Sequence, residues 1–249
     1  MNALSQDLPG PDAADLAAAS LAMARRFATG ATMWCAAPSW PGRSRQLAAE
    51  LAQSVAGGGR SFATAVLPDE DMPDEDMIAS LRTHARAGDV LLLAANGGEP
   101  SLAGLRQRAA AWGLLTVWIG AGKRPVPGAA DYVLWLGGND AVRAGEGGFG
   151  HVGQELGEMI RARLARDELV EDHQAGCHDE VCITCSDEGR LGEIVSLQPD
   201  GLAQVRTPSG IKTVDASLVD ARAGDLVLIH AGTALSLVVP QGCEPEEAP

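Results

Sequence analysis

Residues 177–186 read CHDEVCITCS and place three of the chain's five cysteines beside one of its five histidines. Thiolates and imidazoles are the ligands that zinc and iron prefer, so this stretch is a candidate metal site. Its four candidate ligands are Cys177, His178, Cys182 and Cys185. Four kinds of chemistry fit these residue types: a structural zinc ion, a redox-active cysteine pair, a structural disulfide, or one reactive thiolate with a partner elsewhere in the chain.

The spacing of these residues favours the single thiolate. Structural zinc sites usually join two separated pairs of ligands, and the sequence has no second CxxC and no HxxxH. The segment VCITC is typical of a strand, in which Cys182 and Cys185 would point to opposite faces. A redox CxxC should open a helix, and no helical pattern follows it. The histidine available as a partner in the same part of the chain is His230, in GDLVLIHAG.

The composition restricts the class of partner. A net charge of −14 argues against nucleic acid, and against an anionic membrane, as the main partner. No apolar run is long enough to cross a bilayer, and the N-terminus MNALSQDLPGPDAADL lacks the features of a signal peptide. We therefore expect a cytoplasmic protein with reduced thiols, which suits metal binding or reactivity better than a disulfide framework.

The first two thirds of the chain alternate between helical and extended patterns. Apolar residues at helical spacing predict helices, and short apolar runs that end at glycine or proline predict buried strands. Predicted helices cover 12–28, 44–56, 99–113 and 150–169, and predicted strands cover 32–38, 61–66, 89–95, 114–120 and 131–137. This alternation predicts an α/β three-layer sandwich with a mostly parallel sheet over residues 1–168.

A different pattern follows from residue 169. The acidic stretch 169–180 is predicted to be a linker. Residues 181–239 then form short apolar runs separated by the turn sequences DEG, QPDG, PSG and AG, which predicts a small all-β barrel. The tail 240–249 is predicted to be disordered.

The β segment, from CITCSDEGRLGEIVSL to GDLVLIHAGTALSLV (182–239), resembles the HypC/HupF family of [NiFe]-hydrogenase maturation chaperones. The resemblance implies an OB-like barrel that carries iron with its cyanide and carbon monoxide ligands. It implies Cys182 as the iron-holding thiolate and His230 as its supporting imidazole, with Cys185 and Cys177 as additional ligands. The implied partners are the scaffold protein HypD and the hydrogenase large subunit, and the implied role is that of a carrier, which is not an enzyme.

The α/β segment resembles SIS-type phosphosugar-binding domains, in particular the phosphoheptose isomerases. The resemblance rests on ATMWCAAPSWPGRSRQLAAELAQ (31–53), DVLLLAANGGEPSLAGLRQRAAAWGLLTVWIG (89–120) and ADYVLWLGG (130–138). It implies a homodimer or tetramer formed through this domain, and a phosphate site built from hydroxyls and helix N-termini. The residues that would contact phosphate are Ser39, Arg43, Ser44, Asn96, Gly97, Gly98 and Ser101.

The metal site that this family uses has lost its histidines in the chain. Glu50 matches, but Gln46 stands where the isomerases have a histidine, and Leu156 stands where they have a second one. We therefore favour the hydrogenase-maturation carrier. The alternative is a phosphosugar isomerase or sugar-phosphate-binding protein with a regulatory β-domain, and a third hypothesis is a protein that uses the cysteines for structural zinc or binds no metal.

Overall fold

The computed structural model describes residues 11–38, 40, 42–53, 62–67, 74–97, 101–136, 149–165 and 189–239. They form two compact units. The first contains five strands, β1 (Thr32–Ala36), β2 (Ala63–Val66), β3 (Val90–Ala94), β4 (Leu115–Gly120) and β5 (Tyr132–Trp135), and the helices α1 (Ala13–Ala28), α2 (Arg43–Gln53), α3 (Asp74–His84) and α5 (Phe149–Leu164). The second contains helix α4 (Ser101–Ala111) and the strands that follow residue 189.

The first unit is built on a parallel sheet with the strand order β2-β1-β3-β4-β5. The central strands VLLLA and LTVWIG are buried along their whole length, as parallel strands covered on both faces should be. Helix α1 contacts β4 and β5, helix α2 contacts β1 and β2, and both helices contact α5. The predicted parallel α/β domain is confirmed.

Local sequence signals explain where the helices begin and end. The side chain of Asp12 caps α1 by accepting a hydrogen bond from the backbone N–H of Ala14 at 2.7 Å. Arg25 and Arg26 lie in the last turn of α1, where positive charge complements the helix dipole. The apolar face of this helix buries Leu16, Met23 and Phe27.

Two aspartates join neighbouring strands near the start of the sheet. The Asp89 carboxylate accepts hydrogen bonds from the Thr32 backbone N–H at 2.8 Å and from the Trp34 indole N–H at 3.0 Å, which ties β3 to β1. Asp131 accepts from both the backbone N–H and the hydroxyl of Thr116, each at 2.7 Å. Because Asp89 is buried, these bonds offset the cost of removing its charge from water.

Replacing Asp89 with asparagine should destabilise the first unit by about 2 kcal/mol, because one carboxylate oxygen becomes an amide that faces a donor. Urea unfolding of the wild type and of Asp89→Asn measures the difference in the free energy of unfolding. Asp76→Asn, at an exposed position on α3, is the matched control and should change the free energy of unfolding by less than about 0.5 kcal/mol. Equal losses in both variants would contradict this role of Asp89.

The second unit contains a closed five-stranded barrel. Its strands are β6 (Arg190–Leu197), β7 (Leu202–Thr207), β8 (Gly210–Asp215), β9 (Leu226–His230) and β10 (Thr233–Leu237). Their order around the barrel is β10-β8-β7-β6-β9, and all neighbours are antiparallel except β8 and β10. The core is filled by alternate inward residues, among them Ile194, Ala203, Val205, Val227 and Ala234. The predicted separate β-barrel is confirmed, and the predicted strand VCITCS lies outside the described residues.

None of the helices in the described part of the chain is both long enough and apolar enough to span a membrane.

Candidate functional site

A solvent-open cavity lies between helices α2 and α5, at the carboxyl end of β3. The order β2-β1-β3-β4-β5 reverses direction between β1 and β3, and in doubly wound sheets ligands bind at this switch point. The open space of this cavity is about 260 Å³, a volume that includes the solvent at its mouth. Its walls are formed by Arg43, Gln46, Leu47, Glu50, Ala94 and Gly150.

Three polar side chains on one face of α2 form a hydrogen-bonded relay along the cavity. The Arg43 guanidinium donates from Nη1 to the Gln46 Oε1 at 2.7 Å, and the Gln46 Nε2 donates to the Glu50 Oε1 at 2.7 Å. The spacings of three and four residues bring the side chains together on a helix. The amide is oriented as the charges require, with its oxygen toward the cation and its nitrogen toward the carboxylate. The relay therefore holds Glu50 in one position at the cavity wall.

Two glycines of α5 make room for the Glu50 carboxylate. A Cβ at Gly153 would lie 3.3 Å from Glu50 Oε2 and 2.8 Å from Leu47 Cδ1, and a Cβ at Gly150 would lie 3.8 Å from Glu50 Oε1. Because Gly150 is in the first turn of α5, the carboxylate lies beside the positive end of that helix dipole. The carboxylate is thus placed between the relay on α2 and the backbone of α5.

The side chains around Glu50 do not fit the metal site of the phosphoheptose isomerases. Gln46 is occupied within the relay, and Leu156 is buried in the apolar core. His151 is exposed, with its Nε2 at 3.4 Å from the Glu155 Oε1 on the same helix. Among the residues that the structure describes, no three His, Cys, Asp or Glu side chains are grouped for metal binding.

Of the residues predicted to bind phosphate, the structure brings Arg43 to the cavity. Ser44 is buried in the first turn of α2, and Asn96 and Gly97 follow β3 without lining the cavity. The backbone N–H of Gly97 donates to the Ala121 carbonyl at 3.0 Å. This N–H group is therefore used in a backbone hydrogen bond and does not point to a phosphate. Ser39 and Gly98 lie outside the described residues, as does the side chain of Ser101.

Of the residues predicted to hold iron, His230 is the one that lies in the described part of the chain. His230 ends strand β9, is partly exposed, and pairs with Thr233 of β10. Cys177, Cys182 and Cys185 lie outside the described residues, and so does His178.

The cysteine of β1 is chemically protected. Cys35 is completely buried, and burial raises the pKa of its thiol to about 12. The thiolate, which is the reactive form, is therefore scarce at neutral pH. Cys35 therefore serves as a small apolar residue of the core.

Iodoacetamide at pH 8 should leave Cys35 unmodified in the native protein, because its raised pKa keeps the thiol protonated and its burial excludes the reagent. Mass spectrometry of the peptide that contains residue 35 measures the labelled fraction. The same reaction in denaturant should label it fully. Equal labelling rates under both conditions would contradict the burial of this thiol.

Sequence reasoning missed the contribution of α5 to this site. The pattern Gly-His-Val-Gly at residues 150–153 places two small residues on one helix face, which is a signal for close approach of another group. The sequence interpretation treats Glu50 and Gln46 only as remains of a metal site. Their hydrogen bond to each other, and the one to Arg43, give them a role without a metal.

No family model and no curated protein matches the chain. One solved structure that it resembles is the phosphoheptose isomerase from Neisseria gonorrhoeae, which is 16% identical, with 59% of this chain and 86% of that chain covered and a TM-score of 0.47. Another is a putative sugar-phosphate isomerase from Listeria monocytogenes, also 16% identical, with 63% of this chain and 78% of that chain covered and a TM-score of 0.43.

These findings correct the interpretation of the chain as a hydrogenase-maturation carrier. Neither solved structure is a maturation protein, and no family model or curated protein supports a HypC/HupF relationship. The expectation that the chain is not an enzyme is corrected likewise: the two solved structures that it resembles are described as isomerases, and neither is described as a carrier. At 16% identity, however, neither likeness assigns a substrate. The comparisons therefore give two structural neighbours that are described as sugar-phosphate isomerases and that cover about 60% of the chain.

Proposed function

We propose that the first domain binds a sugar phosphate and interconverts its aldose and ketose forms, with Glu50 as the group that moves the proton. The observation that carries this proposal is the Arg43–Gln46–Glu50 relay at the switch-point cavity. The substrate class comes from the sequence resemblance of residues 31–53 and 89–120 to phosphosugar-binding domains. The β-barrel is then a regulatory domain, which is the alternative that the sequence offered.

Glu50 is proposed to remove one proton from a carbon of the sugar and to return it to the adjacent carbon. In an aldose, the carboxylate takes the proton from the carbon next to the carbonyl, and the electron pair moves to form an enediolate. The same carboxyl group returns the proton to the former carbonyl carbon, and the hydroxyl proton of the adjacent carbon passes to the former carbonyl oxygen, so that the carboxylate is regenerated. A fixed carboxylate suits this task, because general acid–base catalysis depends on a group held within hydrogen-bond reach of the carbon-bound proton.

Arg43 supplies the positive charge that a phosphate requires. It is the first residue of α2, so its guanidinium stands at the end of the helix where the dipole also attracts anions. Planar guanidinium groups are well suited to phosphate oxygens. The relay links this anion-binding end of the cavity to the carboxylate, which lies about two helical turns further along α2.

Isothermal titration with a panel of five- to seven-carbon aldose and ketose phosphates tests the binding part of the proposal. Arg43→Leu should weaken the binding of the preferred sugar phosphate by about 10- to 100-fold, because a charge-assisted hydrogen bond is lost. Arg45→Leu removes the same charge from an exposed position of the same helix, outside the cavity wall, and should leave the affinity close to that of the wild type. The proposal fails if no sugar phosphate binds, or if both variants bind alike.

We infer finer features of the fold together with this function. The barrel order, with a single parallel pair between β8 and β10, agrees with an OB-like barrel. The first domain is expected to be a three-layer sandwich that self-associates into a dimer or tetramer in the cytoplasm. Light scattering of the purified chain measures the oligomeric state directly.

A further inference from the structure

The Arg43–Gln46–Glu50 relay lies on a helix face that water reaches. Gln46 is exposed, and Arg43 and Glu50 are half-buried. Hydrogen bonds between exposed side chains three and four residues apart on a helix are individually weak, because water competes for the same groups. The two bonds of the relay are therefore firm only when one of its ends is held by something else.

The Arg43 end is the one that a ligand can hold. A guanidinium carries five N–H donors, and the bond from Nη1 to Gln46 Oε1 uses one of them. A phosphate has several acceptor oxygens and binds such a fork at two places at once. The guanidinium can therefore bind a phosphate and keep its bond to Gln46. A guanidinium fixed in this way also fixes the oxygen of the Gln46 amide.

The Gln46 amide carries this constraint to Glu50. The amide is a rigid planar group, so an oxygen fixed toward Arg43 aims the Nε2 donor at Glu50 Oε1, which is 2.7 Å away. The other carboxylate oxygen, Oε2, faces α5 at Gly153, where an added Cβ would lie 3.3 Å from it. A closed relay thus selects one position of the Glu50 carboxylate, and an open relay leaves its Oε1 to water.

We propose that Gln46 is a positioning residue through which a phosphate bound at Arg43 activates Glu50. The phosphate then does more than hold the sugar, because part of its binding energy is used to fix the carboxylate in the reactive position. A sugar that lacks the phosphate group should lose turnover as well as affinity, and a free oxyanion of similar charge and shape should restore part of the turnover. This regulation rests on the proposed function, since it acts on the same carboxylate.

The test uses the full-length protein and the unphosphorylated sugar with the same carbon number as the preferred sugar phosphate. Its isomerisation is followed by proton NMR with and without inorganic phosphite, at constant ionic strength. Phosphite should raise the rate by about 2- to 30-fold in the wild type, the usual range for coupling between two sites. A wild-type rate that phosphite does not raise would overturn the proposal.

Two methionine variants separate the relay from other effects of the anion. Gln46→Met keeps the length of the side chain and removes both of its hydrogen bonds, so phosphite should no longer accelerate the reaction. Gln154→Met makes the same change at an exposed position of α5, outside the cavity wall, and should be accelerated as the wild type is. Equal acceleration of the two variants would count against the relay and overturn the proposal.

Kinetics with the sugar phosphate itself give a second readout. Arg43 keeps its charge in Gln46→Met, so KM should stay close to the wild-type value while kcat falls by about 2- to 30-fold. A group that contributes only to binding raises KM and leaves kcat unchanged when it is removed. That pattern in Gln46→Met would contradict the positioning role.

Failure of the proposed function can be distinguished from failure of this inference. If the wild type isomerises no sugar phosphate, the proposed function fails, and inorganic phosphate alone then tests the relay. The side-chain amide resonances of Gln46 are identified in proton–nitrogen correlation spectra by their absence from Gln46→Met. Phosphate should shift them in the wild type and leave them in place in Arg43→Leu. No shift in the wild type, or equal shifts in both proteins, overturns the inference.

Discussion

Replacing Glu50 with glutamine is expected to lower the rate of sugar-phosphate isomerisation by about 10²- to 10⁴-fold, the usual contribution of a positioned acid–base group. Glutamine has nearly the same shape and can still accept the hydrogen bond from Gln46, but its amide cannot take a proton from carbon. Substrate affinity should therefore change little while kcat falls. Proton NMR of the aldose and ketose forms, followed over time at several substrate concentrations, separates kcat from KM.

The control for this variant is a second glutamine–glutamate pair with the same spacing, on helix α5. The Gln154 Nε2 donates to the Glu158 Oε1 at 3.2 Å, as Gln46 does to Glu50 on α2. Glu158 is exposed and lies outside the cavity wall, so Glu158→Gln changes the net charge equally without touching the relay. It should retain the wild-type rate. Equal kcat values for the two variants would show that Glu50 is not the proton-transfer group.

Replacing Gly97 with alanine is expected to destabilise the first unit by on the order of 3 kcal/mol. A Cβ at this position would overlap the backbone carbonyl oxygen of Lys123 and lie 2.8 Å from Cη2 of Trp135. A backbone oxygen cannot move as the end of a side chain can, so the bridge between Gly97 and Gly122 must open. Thermal and urea unfolding measure the loss.

A second glycine provides the comparison for this effect. At Gly150 the nearest atom to an added Cβ is 3.8 Å away, which is an ordinary contact. Gly150→Ala should therefore change the free energy of unfolding by less than about 1 kcal/mol, and alanine's better helix propensity favours the folded state. A Gly97→Ala protein as stable as the Gly150→Ala protein would contradict the close packing at the end of β3.

The secondary structure was readable from the sequence where local chemistry is decisive. The run DVLLLAA predicts β3 because a strand buried on both faces has no polar positions to interrupt it. The short run RLGEIVSL, which is followed by the turn sequence QPDG, coincides with β6. Helix α1 begins one residue after the capping Asp12. In each case the signal lies within a few adjacent residues.

The candidate site depended on contacts between distant residues, and sequence patterns alone did not reveal it. Glu50 gains its setting from Gly150 and Gly153, which lie on the last helix of the domain. Glu193 has the sequence neighbours of an ordinary strand carboxylate, and its burial becomes evident only when α4 is placed beside β6. The grouping of α4 with the barrel could not be expected from a pattern that alternates regularly between helix and strand.

The hydrogenase-maturation interpretation rested on a motif that the fold itself explains. In GDLVLIHAGTAL, Val227, Ile229 and Ala234 are core residues of the barrel. The turn between β9 and β10 holds Ala231 and Gly232 at positive φ, where glycine is favoured. A hairpin of this barrel therefore requires much of the motif for packing and turn geometry alone, without any metal chemistry.

Proton transfer by Glu50 is tested most directly by incubating the wild-type protein with the sugar-phosphate panel in deuterium oxide and following the sugars by proton NMR. A carboxylate that moves a proton between neighbouring carbons exchanges it with solvent, so deuterium should appear at the carbon next to the carbonyl of the accepted substrate. We expect this incorporation in the wild type and in Glu158→Gln, and its loss in Glu50→Gln. Incorporation that persists in Glu50→Gln, or none with any member of the panel, would contradict it.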